Sequence, residues 1–378
     1  MAQALDGEER TLSWTGRGVD VERIETELTK LRHVTAGGDE SFAVRTSVVN
    51  MVVHAEDDDT AEQARRVMED LAAHHPSRAL ILIARPSEGE SRIDASLAAH
   101  CHPAPGVDRH VFCEEVTLDV SGRAASHLRS IIVPLLVPDL PAIVWWTGPL
   151  PQDSQLIKEL CEIASHVIVD SSRFADQLGD LSRVRELASA HDCAIGDLNY
   201  QRVRPWRDLV ERQTGAAGLG AWLTAAKSAE IKFTGRAKET PAQAILFLAW
   251  LATHCGWRLN SIAAPEPGRL TLKHNEREIP VYLEPVTYEG IENGWLVAVK
   301  IAFGRDGETA LLSVSRTGDP LHVTVRTELS GSVREDFVRI PACDSQTTLR
   351  QQLDTAPHDP EFVRLLTEAA QLFQAVRR

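Results

Sequence analysis

Histidine and cysteine gather in one stretch of this chain: His100, Cys101 and His102, then His110 and Cys113. Imidazole and thiolate are the donors that zinc prefers. In an extended strand His100 and His102 share one face and Cys101 takes the other. One face then supplies an incomplete ligand set, and no metal is expected. Cys101 and Cys113 fall on neighbouring expected strands, where two thiols either form a regulatory disulfide or pack as small apolar side chains. Arg45 and Arg78 stand near the ends of two apolar runs. Two guanidinium groups at the loop ends of a parallel sheet can grip a phosphate or carboxylate. Arg78, in His74-His75-Pro76-Ser77-Arg78, reads equally as the partner of an acid behind a proline helix stop. Asp170, in Asp170-Ser171-Ser172-Arg173, lies at a strand-to-helix turn, where α/β ligand sites and helix caps both occur. Trp145 and Trp146 end an apolar strand and should point to opposite faces, one into the core and one outward as an interface anchor. Arg202, Arg204, Trp206 and Arg207 form a basic-aromatic patch, suited to an acidic partner face or to a solvated helix start.

Several sites are absent from the sequence. There is no GxxxxGK[ST] phosphate loop, no GxGxxG after a strand, no HExxH and no GxSxG. Nothing in the residues points to catalysis.

The elements that must position these residues read as two textures. Val21–Val34 carries a helical stripe of Val21, Ile24, Leu28 and Leu31. Val44–Ala55 and Ala79–Ala84 read as strands buried on both faces. A helix from Ala61 to Leu71, capped by Thr60, lies between them and completes a βαβ unit. Two strands follow at Ile93–His102 and His110–Val120, then a helix over Ser121–Val133 ended by Pro134. Ala142–Trp146 and His166–Asp170 are strands, with helices at Ser154–Ala164, Phe174–Ala190 and, starting near Pro205, Val203–Gln213. Beyond a Gly/Ala-rich stretch at Gly215–Gly220 comes the apolar helix Pro241–Cys255. Six strands between Arg269 and Ile340 and two final helices, Thr347–Asp354 and Pro360–Val376, complete the chain. The expectation is an α/β N-terminal domain with a mixed or parallel sheet over 21–214. An α+β C-terminal domain with an antiparallel sheet and terminal helices is expected over 215–378. Residues 1–20 are expected to form a flexible tail.

Composition narrows the function. The 378 residues carry 40 Lys and Arg against 54 Asp and Glu, a formal net charge of −14. A nucleic-acid binder needs a basic face, so none is expected as a partner. The most apolar long stretch, Ile131–Trp146, is broken by Pro134, Pro138, Asp139 and Pro141, which argues against a membrane span. The polar start MAQALDGEER has no signal-peptide pattern, and six scattered cysteines without a CxxC pair suit a reducing cytoplasm.

Several long motifs in order resemble one family. PLLVPDLPAIVWWTGP, HPSR after the first βα unit, VIVDSSRF, RVRPWRDLVERQ, RTSVVNMVVHA, Cys113-Glu114 and PAQAILFLAWLATHCGWRL resemble the OpcA family of glucose-6-phosphate dehydrogenase assembly proteins. The resemblance runs from about Val21 to the C-terminus. It implies a non-enzymatic assembly factor or allosteric activator of a glucose-6-phosphate dehydrogenase oligomer in the oxidative pentose phosphate pathway. It implies no cofactor of the chain's own, since NADP belongs to the partner enzyme. Some members of the family are redox-responsive. Arg78, Trp145, Trp146, Arg204, Trp206 and Arg207 are the expected partner contacts, and Arg45, Arg78 and Asp170 a weaker effector site. Two alternatives compete: an enzyme acting on a small sugar phosphate through the α/β half, and a redox sensor using Cys101 and Cys113.

Overall fold

A computed structural model describes residues 10–35, 47–72, 74–86, 89–103, 110–151, 155–216, 222, 224–235, 240–259, 268–355 and 359–376. They form two compact units. The first holds residues up to Asp170 together with Ala190–Gly196, and the second holds Ser171–Ser189 and everything from Asp197 onward. The sequence places the change of texture near 215. The helix before that point is instead grouped with the second unit.

The first unit is one eight-stranded sheet with flanking helices. In chain order it contains β1 (Arg10–Gly16), α1 (Val21–Thr35), β2 (Val49–Ala55), α2 (Asp58–Leu71), β3 (Ser77–Arg85), β4 (Arg92–Pro103), β5 (His110–Ser121), α3 (Leu128–Leu135), β6 (Ala142–Trp146), α4 (Gln155–Cys161) and β7 (His166–Val169). A long helix of the second unit, α5 (Gln177–Ala190), intervenes before β8 (Ala194–Asp197). The strand order is β1-β4-β5-β3-β2-β6-β7-β8. From β5 through β7 the pairing is parallel, while β4 pairs antiparallel with both β5 and β1. The apolar runs Met51–Val53 and Leu80–Leu82 are buried, as central strands covered on both faces must be.

Local chemistry sets several boundaries differently from the expectation. The stretch assigned to a tail contains β1, whose Leu12 and Trp14 alternate with exposed Ser13 and Thr15. Asp57, not Thr60, caps α2, its carboxylate accepting from Thr60 N (2.8 Å) and Thr60 Oγ1 (2.6 Å). A 3₁₀ turn at Gly122–Ser126 precedes α3, and Pro134 lies inside that helix. The proline-rich run before β6 is clamped by buried Asn50. Its side-chain amide donates to the carbonyls of Val137 and Leu140, and its oxygen accepts from Val137 N.

The second unit continues from α5 with α6 (Leu198–Ala216), β9 (Ala226–Thr234), α7 (Ala242–Cys255), β10 (Arg258–Leu259), β11 (Arg269–His274), β12 (Arg277–Val286), β13 (Leu296–Arg305), β14 (Glu308–Arg316), β15 (His322–Leu329), β16 (Ser332–Arg339), α8 (Ser345–Asp354) and α9 (Pro360–Val376). Its sheet runs β10-β11-β12-β9-β13-β14-β15-β16. It is antiparallel except where β12 lies parallel to β9. The helix α6 begins five residues before Val203, so Pro205 sits inside it rather than at its start. Among the described residues, no helix is long and apolar enough to cross a membrane.

Candidate functional site

Arg78 is buried at the amino end of β3. Its Nε donates to Glu114 Oε2 at 2.7 Å, and its Nη1 to Glu25 Oε1 at 3.0 Å and the Leu135 carbonyl at 2.6 Å. Parallel pairing of β3 with β5 sets Arg78 beside Glu114. The guanidinium is committed to the scaffold and offers neither a phosphate clamp nor a surface. Arg45 lies outside the described residues. Asp170 is buried at the carboxyl end of β7, so Arg78 and Asp170 sit at opposite ends of the parallel strands and form no joint site. In the β4–β5 ladder Cys101 lies opposite Phe112 and Cys113 opposite His100, so the two cysteine positions are out of phase. The side chains of residues 100–112 lie outside the described ones.

Beside Glu114, on the other face of β5, Glu115 is also buried. Burial, with Glu69 and Glu62 nearby and Arg65 only partly offsetting, pushes its carboxyl up to about 7. An acid whose pKa rises on folding contributes stability at low pH that is lost as pH climbs through that value. Glu115→Gln should therefore flatten the stability profile between about pH 5 and pH 8 and add about 2 kcal/mol at the upper end. Urea denaturation of both proteins across that range checks it; identical slopes would refute the assignment.

The doubly wound part of the first sheet has a switch point between β2 and β6. There the chain first builds outward through β3 to β5 and then returns to the other side of β2. In such sheets ligands sit outside the carboxyl ends of the strands at that point. Trp146 fills it. Its ring stacks on His54 of β2 with centroids 3.9 Å apart and planes 3° from parallel, and its Nε1 donates to the Pro149 carbonyl at 3.0 Å. Burial pushes His54 down to about 4, so the imidazole is neutral at neutral pH. Thr147 Oγ1 closes the turn onto the His54 carbonyl at 2.8 Å. Trp145 is buried on the opposite face. Neither tryptophan is the outward anchor that alternation allows, because β6 is a central strand covered on both sides.

The loop after β2 reads Glu56-Asp57-Asp58-Asp59 and runs straight into α2. A helix N-terminus at this place is where a dinucleotide's pyrophosphate would rest. Here the Asp57 carboxylate already takes one of the free N–H groups, that of Thr60, and Thr60 holds that carboxyl below the usual range. Asp58 pairs with Arg85 at 2.8 Å. Four consecutive carboxylates repel a phosphate, and no glycine opens the turn. The residues present do not fit a nicotinamide dinucleotide.

In the second unit α6 divides its side chains sharply. Trp206 is buried under the guanidinium of Arg316, 5.5 Å from the ring centre. Buried Arg202 donates to the Cys343 carbonyl at 2.9 Å. Buried Arg207 stacks on Tyr200, 3.8 Å from its ring centre, and donates to its hydroxyl. Burial holds that phenol well above its ordinary pKa, so it stays protonated. Of the basic-aromatic patch, only Arg204 is exposed. It lines a groove of about 700 Å³ with Asp208, Arg212, Arg339, Gln351 and Asp354. A second hollow of about 350 Å³ shares Arg204 and Asp208 and continues to Glu211 and Asp359. Period-3.6 spacing points to this groove, since Arg204, Asp208, Glu211 and Arg212 recur on one face of a continuous helix. All four lie within the helix that the sequence places over Val203–Gln213, so the shared face was available there, and what the sequence could not show is that Trp206 and Arg207 between them are buried. The sequence also left unflagged a buried thiol pair. Cys161 and Cys193 are both buried, and their interaction with each other pushes Cys161 up and Cys193 down.

Two family models match, one described as the glucose-6-phosphate dehydrogenase subunit N-terminal domain over residues 68–186 and one as its C-terminal domain over 193–366. The OxPP cycle protein OpcA of Nostoc punctiforme is 30 % identical over 194 residues, covering 51 % of this chain and 41 % of that protein. Its counterpart in Synechococcus elongatus is 27 % identical over 240 residues, 61 % of this chain and 53 % of that one. The chain thus spans about half the length of the curated relatives it matches. In fold it is similar to an oxidoreductase from Sinorhizobium meliloti, with TM-score 0.52, 12 % identity and coverage of 88 % of this chain and 97 % of that one. It is also similar to an NAD-binding oxidoreductase from Klebsiella pneumoniae, with TM-score 0.50, 8 % identity and coverage of 88 % and 96 %. The fold is shared with oxidoreductases, and both halves of the sequence match the domain models of one family: the chain belongs to the OpcA family.

Proposed function

We propose that this chain is a non-catalytic factor that binds glucose-6-phosphate dehydrogenase and promotes its assembly or activation in the oxidative pentose phosphate pathway of the cytoplasm. The observation that carries the non-catalytic reading is the switch point. A sheet of oxidoreductase type keeps its strands but fills its ligand crevice with the Trp146–His54 stack and lines the adjoining helix start with carboxylates. The identity of the partner rests on the family. The chain holds no cofactor of its own in this reading, and the NADP belongs to the dehydrogenase. Activation requires that the factor bind one state of the enzyme more tightly than another, because only differential affinity shifts a population. The contact surface we assign is the groove along α6, centred on Arg204 and flanked by Asp208, Arg212 and Arg339.

The test is dehydrogenase activity against glucose 6-phosphate concentration with and without the equimolar factor, using the enzyme of the same organism and light scattering on the same samples. A lower half-saturation or higher maximal rate, together with a larger complex, is expected. Arg204→Glu should weaken the complex about tenfold, as loss of a charged contact at an interface does. No complex and no kinetic change would overturn the reading and return attention to sugar-phosphate turnover by the chain alone. A redox component has one observation behind it, the mutually interacting buried thiols Cys161 and Cys193. Equal activation by reduced and oxidised protein would remove it.

A further inference from the structure

The second sheet ends in a strand whose surface is unusual for an edge. β16 pairs with β15 on one side and with no other strand among the described residues. Its outer backbone N–H and C=O groups are therefore open to another strand. Register places Val333, Glu335 and Phe337 on one face and Arg334 and Asp336 on the other. Among the described residues Phe337, 73 % exposed, is the most exposed large apolar side chain, and Val333, at 53 %, comes third after Val48.

Charges guard an edge only when an arriving strand meets like charge. Here they do the reverse for one arrival, a second copy of the same strand. Antiparallel pairing with Glu335 opposite Glu335 sets Val333 against Phe337 twice on one face and Arg334 against Asp336 twice on the other. Sliding by one residue puts Asp336 opposite Val333 or Glu335. Sliding by two sets Arg334 or Asp336 against its own copy. Of these five registers only the one centred on Glu335 satisfies both faces. The like pair it leaves, Glu335 with Glu335, is flanked on each side by Arg326, whose Nη1 lies 3.9 Å from its own Glu335. Within a copy Arg334 Nε already holds Asp336 Oδ2 at 2.9 Å, so the four charges would close into one ring across the axis. Such a contact is isologous and closes at two copies.

We infer that β16 is a homodimerisation edge: two copies of this chain join strand to strand into one continuous sheet, with Val333 facing Phe337 and Arg334 facing Asp336. This goes beyond the activator reading and does not depend on it.

Sedimentation velocity of the full chain over a concentration series tests it. Wild type should dimerise reversibly, and Phe337→Asp should weaken dimerisation at least tenfold. Arg334→Asp leaves two carboxylates at these positions and Asp336→Arg leaves two cations, so each alone should sediment as a monomer. Mixed in equal amounts, the two single variants should dimerise with each other, because each then meets its opposite charge across the axis. All three positions are on the surface, and thermal melts of the variants check that the fold is intact. A wild type that stays monomeric at its highest soluble concentration would overturn the inference. So would a dimer that all three variants preserve, or a mixture of the two charge variants that stays monomeric.

Discussion

Replacing Arg78 with leucine should cost the first unit about 3–5 kcal/mol, the loss expected when one member of a buried ion pair is removed and its partner stays charged. The buried carboxylate of Glu114 would lose its 2.7 Å partner, and the Leu135 carbonyl would lose its 2.6 Å donor. Arg78→Leu with Glu114→Leu should regain most of that loss, because an apolar pair of similar volume avoids the desolvation that the ion pair must overcome. Urea unfolding followed by a probe in the first unit measures both. A single variant within about 1 kcal/mol of wild type would show that the pair carries little. Arg78 would then be open again to a role outside the scaffold.

Trp206→Ala should remove about 3–5 kcal/mol from the second unit, as truncation of a fully buried aromatic side chain does. It would also leave the guanidinium of Arg316, which burial pushes below its ordinary pKa, without the ring it stacks on. The contrast with Arg204, two residues earlier and exposed, is the useful part. Trp206→Ala should lower the melting temperature and impair activation only through loss of fold. Arg204→Glu should leave the melt unchanged and weaken the complex. Calorimetry of the two variants beside the activation assay separates them. If Trp206→Ala melts like wild type, its burial has been misjudged and the interface moves to its side of the helix.

The two-texture architecture was legible because long periodic segments report their own environment. The strands β11 and β6 and the helix α9 have the bounds that spacing alone assigns. Short elements were not legible. The four residues of β8 are too few to show a period, and the alternation in β1 is confined to Leu12 and Trp14 beside two glycines. The site suffered more, for a physical reason. Residue type announces chemistry, but burial decides whether it is available. Arg78 owes its role to Glu114, 36 positions away, brought alongside only by parallel pairing. Trp145 and Trp146 do point to opposite faces, yet β6 lies between β2 and β7, so both faces are interior. The acidic loop Glu56–Asp59 takes its meaning from standing at the switch point of the sheet, which no local spacing shows.

The helix α7 has a consequence for how the chain is made. Twelve of its fourteen residues are buried, so it has no face that tolerates water. At 1.5 Å per residue it is about 21 Å long, short of the roughly 30 Å that a bilayer core would require. It packs against α6, which precedes it, and against α9, the last element of the chain. At translation rates of about 5–20 residues per second, the hundred or so residues between them take several seconds to emerge. Throughout that interval the nascent chain presents this almost wholly apolar helix without the cover that α9 provides. A chaperone that holds apolar segments on the ribosome is the natural companion of this fold during synthesis.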